Sequence, residues 1–240
     1  MLNFKSFMLS FMITLFALSL CGLLAVYVDA SSHLGSAFPS TSSLYVYTPS
    51  EKDNLTAVSI IDGGKYFSIF KFDARKGVIP VLTLDGSEEL SLDGSFETIS
   101  SIYNQKGQGG FKKALSQNFG LESYSQILLD ETSLDKLLSV LGKIYYKNKD
   151  GEVLSLSSKA FLEESNAPII SEMLSQILNK ALSLLTSSSP KDYGFLILDS
   201  FESDISYYDL EARRRALEFV YSLKKSPAHP ISLDEKQALK

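Results

Sequence analysis

The chain opens on one unbroken apolar run and then changes period twice. Residues 8–28, MLSFMITLFALSLCGLLAVYV, carry no charge across 21 positions. At about 1.5 Å per residue that is enough to cross a roughly 30 Å hydrocarbon core. Beyond a Ser-rich stretch (29–43) the pattern becomes strand-like: LYVY at 44–47, TAVSII at 56–61, YFSIFKF at 66–72 and VIPVLTL at 78–84. Asp62-Gly63-Gly64-Lys65 between two of these runs marks a hairpin, because glycine accepts the positive φ of a tight turn. Pro80 places the fourth run at an edge or on a bulge.

After Asp93-Gly94 the spacing turns helical. Phe96, Ile99 and Tyr103 share one face, then Phe111, Leu115 and Phe119, with Gly120 as a C-terminal stop. A strand over 123–129 leads to Thr132 or Ser133 as a cap and to a helix carrying Leu134, Leu137, Leu138 and Leu141, closed by Gly142. Asn148-Lys149-Asp150-Gly151 joins a second hairpin, 143–146 with 153–156. Helices follow over 168–185, 193–198 and from Ser206 or Asp209 to Leu223. Strands mixed with helices, joined by hairpins and crossovers, predict an α/β (α+β) domain: a layered mixed sheet flanked by helices, behind one N-terminal transmembrane helix. The organisation expected is a cytoplasmic stub (1–7), a single-pass anchor (8–28), a linker (29–43), one extracellular domain (44–225) and a mobile tail (226–240).

Lys5 before the span and Asp29 after it set this orientation, with the domain outside the cell membrane. A cleavable signal peptide is the competing reading, on the small residues around Ala30. Cys21 is followed by further apolar residues and preceded by the large Leu20, a poor lipoprotein signal. It is also the chain's one cysteine, which excludes an internal disulfide, and two histidines are too few for the usual histidine-ligated catalytic metal. A net charge of −5 excludes nucleic acid as a partner.

The order of elements resembles the LytR-CpsA-Psr family, exported membrane-anchored enzymes that move glycopolymers from polyprenyl pyrophosphate lipids onto peptidoglycan. Asp53 to Ile60 is similar to the family's Ser-Asp-Thr stretch, and strand 66–72 to the strand before its arginine loop. Ile99-Ser100-Ser101-Ile102-Tyr103 resembles the family's Ile-Asn-Ala-Ala-Tyr helix, and Asn118-Phe119-Gly120-Leu121 its Leu-Leu-Gly-Ile close. Residues 123–141 match its next strand and helix in length, and Ser203 to Leu210 its closing helix start.

The resemblance implies a phosphate site, and transfer there needs cations on the phosphate oxygens, arginine above all. The chain has four arginines: Arg75 and the run Arg213, Arg214, Arg215. Arg75 lies near the place of the family's Pro-Arg-Asp loop, in Phe72-Asp73-Ala74-Arg75-Lys76, without the proline. The family's lysine before the Tyr helix falls at Thr98. Its later arginine-rich segment, expected at 155–168, holds only Lys159. Asp53 alone matches a carboxylate position. The resemblance therefore implies phosphate binding at Arg75 and metal ligation at Asp53, with magnesium or manganese required only if transfer survives. The reading that follows is a degenerate family member, binding a polyprenyl-linked glycopolymer precursor or a wall-associated partner without efficient catalysis. The alternatives are an active phosphotransferase and a protein-interaction scaffold without lipid. Binding of a lipid chain predicts an elongated apolar cavity opening near Arg75.

Other constellations have plainer readings. The three consecutive arginines point about 100° apart and belong to a solvated helix face. Gly107-Gln108-Gly109-Gly110 lacks the residues of a phosphate loop and is read as a helix start. His33 stands alone in the linker, and His229 lies in a proline-rich tail with no serine elbow to serve.

Overall fold

The computed structural model describes residues 47–187, 190–224 and 226–239, so the apolar run 8–28, the linker and most of the strand expected at 44–47 lie outside it. Among the described residues no helix is long and apolar enough to cross a membrane. The first strands are β1 (Leu55–Ile61), β2 (Tyr66–Phe72) and β3 (Ile79–Asp85), followed by a small hairpin, β4 (Glu89–Leu92) with β5 (Ser95–Thr98). Helix α1 (Ile99–Phe119), β6 (Ser125–Leu129) and α2 (Glu131–Leu141) come next, then the hairpin β7 (Tyr145–Lys147) and β8 (Val153–Ser155). Helices α3 (Ser158–Glu163), α4 (Ala167–Leu185) and α5 (Pro190–Leu198) precede β9 (Glu202–Ser203), α6 (Tyr207–Ala212) and α7 (Arg214–Leu223). Strand β10 (Ala228–Pro230) and a final 3-10 turn (Leu233–Leu239) close the chain.

The main sheet has the order β10-β3-β2-β1-β6-β9. It is mixed: β1 pairs antiparallel with β2 and parallel with β6, and β3 pairs antiparallel with β2 and parallel with β10. Period-two alternation sends Ala57, Ile61, Tyr66, Phe70 and Val81 to one face, against α2, α4 and α7. Val58, Ile60, Phe67, Ile69 and Leu82 go to the other, against α1 and the β4–β5 hairpin. Burial of both faces explains why the strands read as nearly continuous apolar runs.

The turn between β1 and β2 takes its positive φ at Asp62, Gly63 and Gly64, as Asp-Gly-Gly predicts. Helix α1 breaks at Gly107 (φ 63°, ψ −166°), a backbone open only to glycine, so it is two helical pieces as the two apolar clusters require. The final helix likewise divides at Arg213 into α6, capped by Ser206, and α7.

Three expectations are corrected. Phe96 does not begin the helix: it sits in β5 and is 71% exposed, while Thr98 caps α1. Pro80 is not on an edge strand, because β10 lies outside β3. The ladder with β2 ends at the Phe70–Val81 pair, next to Pro80, so its missing donor interrupts nothing. The tail expected to be mobile is the source of β10. Ala228 is paired through both backbone groups with the buried Asn179 side chain (3.0 and 2.9 Å), Ile231 N–H donates to the Val81 carbonyl, and Leu239 is buried. Proline and charge in the tail hid two apolar anchors, one at each end of it.

Candidate functional site

Two clefts lie at opposite ends of β3. Seven strand residues at about 3.3 Å each set them roughly 20 Å apart. The first, about 510 Å³, is lined by Glu51, Asn54, Lys71, Asp73, Arg75 and Lys76. Its floor is the tight turn after β2. The buried Asp73 carboxylate accepts from the backbone N–H groups of Arg75 (3.1 Å) and Lys76 (3.0 Å), and Asn54 Oδ1 accepts from Ala74 N–H (3.0 Å). This locks the loop and aims both cations outward. Arg75 then pairs with Glu51 at 3.0 Å, in an exposed position where such a pair adds about 1 kcal/mol or less.

Asp53 stands beside this cleft without lining it. Its Oδ2 accepts from Ser50 N–H (2.8 Å) and from the Ser50 hydroxyl (2.9 Å), the arrangement that caps a helical turn. Partial burial pushes the Asp53 carboxyl up. The Ser50 hydrogen bonds, the neighbouring Tyr47 hydroxyl and the positive charge of Arg213 outweigh that and hold it below the ordinary aspartate value. Burial, with the Asp53 carboxylate beside it, raises Tyr47 to about 12, and among the described residues its buried hydroxyl makes no hydrogen bond of ordinary geometry. Arg213, reaching back from between α6 and α7, donates to the Asn54 carbonyl (3.4 Å) and the Asp209 carbonyl (3.0 Å). The donor set at Asp53 does not fit a divalent ion: one oxygen is committed to the cap, and no three acidic, histidine or cysteine side chains among the described residues are grouped to hold a metal.

Arg75 and Asp53 therefore share one end of the sheet but not one target. The cleft at Arg75 is walled by polar and charged side chains, unlike the apolar mouth expected for a lipid chain.

The second cleft, about 560 Å³, was not foreseen. It gathers Asp85 from the end of β3, Tyr146 and Asn148 from the β7–β8 hairpin, and Glu164 and Asn166 from the α3–α4 junction. Lys65 reaches from the β1–β2 turn to donate to the Leu162 carbonyl (2.8 Å), fixing the end of α3 beside the sheet. Gly86 makes the approach possible, since a side chain there would strike the Gly64 carbonyl oxygen and Ser100 Oγ. The segment 155–168, where the family resemblance calls for arginines, supplies Glu164, Ser165, Asn166 and Ala167 to this cleft and nothing to the one at Arg75. Only tertiary structure unites residues 85, 146 and 164. The one local signal was Asp85-Gly86 after an apolar strand.

No family model matches the sequence, and no curated protein matches it. Solved structures do. A protein assigned as a transcription regulator from Eubacterium siraeum aligns over 84% of this chain and 96% of its own, with a TM-score of 0.63 and 15% identity. TagV of B. subtilis aligns over 76% and 85%, at 0.57 and 12%. TagT bound to LI-WTA aligns over 80% and 82%, at 0.53 and 10%. The chain thus has the mixed α/β fold of these proteins, a mixed sheet flanked by helices. At such identities the likeness concerns the fold.

Proposed function

We propose that this chain is a membrane-anchored cell-envelope protein with a degenerate LytR-CpsA-Psr-type domain, which binds a phosphate-bearing polyprenyl-linked glycopolymer precursor or a wall-associated partner without efficient transfer. The fold shared with TagV and TagT, members of that family, supports the class. The uncharged run 8–28 supports the anchor and the extracellular placement of the domain. One observation carries the degenerate reading: neither cleft holds an arginine cluster. The first has a single arginine, already paired with Glu51, and the second presents Asp85 and Glu164 against Lys149. Each missing donor at a charge-developing site lowers a rate by about 10²–10³-fold.

The test is a reconstituted transfer assay with a polyprenyl-pyrophosphate oligosaccharide, peptidoglycan and magnesium or manganese, run beside TagT. Retention of the lipid with turnover at least a thousandfold below TagT is the expected result. Comparable turnover overturns the degenerate reading, and failure to retain lipid overturns the phosphate-binding one.

A further inference from the structure

The sheet is electrically polarised along its strands. Asp62, Asp85, Glu88 and Glu164 stand at the end where β1 finishes and β2 begins, with Lys65 and Lys149 among them. The opposite end gathers Lys52, Lys71, Arg75 and Lys76. Its acids are engaged within the domain: Glu51 with Arg75, Asp53 with Ser50 and Asp73 with the loop backbone.

Helix α7 extends this basic end. Gly77 lets its last turn lie on the Arg75 loop, for a side chain at that glycine would come within 3.0 Å of Leu223 Cδ1. Leu223 is nevertheless 59% exposed, and Lys224 follows it, also exposed, in extended backbone. The contact sets one exposed leucine beside Lys76, next to Gly77 in the loop, and Lys224, next to it in the chain. That combination suits a lipid interface, where methyl groups reach below the headgroups while ammonium groups stay among their phosphates.

The chain also enters the domain at this end. Tyr47, where the described residues begin, sets its ring edge-on at 5.6 Å from Phe219 of α7 and lies beside Asp53. Eighteen residues (29–46) separate it from the uncharged run 8–28. Fully extended they span about 60 Å. A tether of that reach holds the domain at high effective concentration beside a bilayer, so a weak patch is enough to dock it.

We propose that the Arg75 end of the domain docks on an anionic phospholipid surface, with Lys52, Lys76 and Lys224 among the headgroup phosphates and Leu223 inserted at their level. The acidic end is repelled by the same charge and turned away from the lipid. This docking presupposes the membrane-anchored reading and adds which face meets the bilayer. It brings the cleft at Arg75 to the level at which lipid-borne phosphate is presented.

The experiment is amide hydrogen exchange on the full-length protein reconstituted in vesicles of phosphatidylcholine alone and in vesicles with an equal part of phosphatidylglycerol. Residues 50–54, 73–78 and 221–224 are expected to exchange more slowly on the phosphatidylglycerol vesicles, and residues 85–89 and 162–166 at the same rate on both. Lys52→Gln combined with Lys224→Gln is expected to remove the difference, since each basic side chain strengthens association with such a surface about fivefold. Leu223→Ser should reduce it by a smaller amount. Salt at about 1 M, which screens charge within about 3 Å, should erase it. Retention on phosphatidylcholine vesicles after that salt wash reads the anchor by itself. Protein washed off lacks the anchor, and docking then requires flotation at low salt with the phosphatidylglycerol vesicles and not with the others. Equal exchange on the two kinds of vesicle, protection at the Asp85 end instead, or the same protection from free glycerol phosphate added to phosphatidylcholine vesicles would each overturn the proposal.

Discussion

The two ends of the central sheet carry opposite chemistry on one scaffold. At the Arg75 end a single turn of chain supplies its own cations, and the acids among them are tied into hydrogen bonds: Asp73 to the loop backbone, Asp53 to Ser50 and Glu51 to Arg75. At the Asp85 end two remote segments supply the carboxylates Asp85 and Glu164, and a third, the β7–β8 hairpin, brings Tyr146 and Asn148 beside them. The cations of the first cleft lie in and beside one turn, so local sequence places them even though Glu51 and Asn54 join them from before β1. A site built between elements is set by how the sheet, α3 and α4 pack. The comparison teaches that the cationic and the acidic cleft are separated by the length of a strand and can be altered one at a time.

The most drastic way to break the comparison is to soften the spacer itself. Phe111 is fully buried under the sheet, with its ring 5.2 Å from Phe67 and 5.4 Å from Tyr103. Phe111→Ala is expected to destabilise the domain by about 3–5 kcal/mol, and denaturant unfolding measures it. Both clefts then fail together. A smaller change inverts one end alone. Glu164→Arg replaces a carboxylate of the second cleft with a phosphate-binding group and is expected to create pyrophosphate binding there. A gain of about tenfold, some 1.4 kcal/mol, is read by titration in an Arg75→Ala background.

Smaller still is release of Arg75 from its ion pair. Glu51→Ala is expected to raise phosphate affinity at the first cleft by a few-fold, within the about 1 kcal/mol of an exposed pair, and the gain should shrink in high salt. The last prediction concerns acid. Asp209 is held below its ordinary value first by the Ser206 hydroxyl, then by the Ser206 backbone, and Asp53 is lowered as described above. Carboxyls depressed in the folded state stabilise it fully above their unfolded pKa, and that contribution is lost as pH falls through the folded values. Melting temperature should therefore be flat above about pH 5 and decline between about pH 4 and pH 2. Ser50→Ala should reduce the decline.

Much of the fold was legible because single segments specified it. Asp62-Gly63-Gly64 specified a hairpin, Gly142 a helix stop, and Asn148 to Gly151 a second hairpin, and each stands where its local chemistry required. The β4–β5 hairpin was not, since Phe96 happens to fall at helical spacing from Ile99 while facing solvent. Helix α3, at six residues, is too short to show a period. The tail is ordered by Asn179, a residue 49 positions away in sequence. Of the sites, Arg75 was visible from its loop. The second cleft was not, because nothing in the sequence marks Asp85, Tyr146 and Glu164 as neighbours before the chain folds.

The most direct test of the central claim is native mass spectrometry of the full-length protein extracted in mild detergent, with Arg75→Ala and Glu164→Gln measured beside it. A polyprenyl phosphate or pyrophosphate retained by the wild type and by Glu164→Gln, and lost from Arg75→Ala, is the predicted result. Lipid absent from all three folded proteins, or retained by Arg75→Ala, would contradict it.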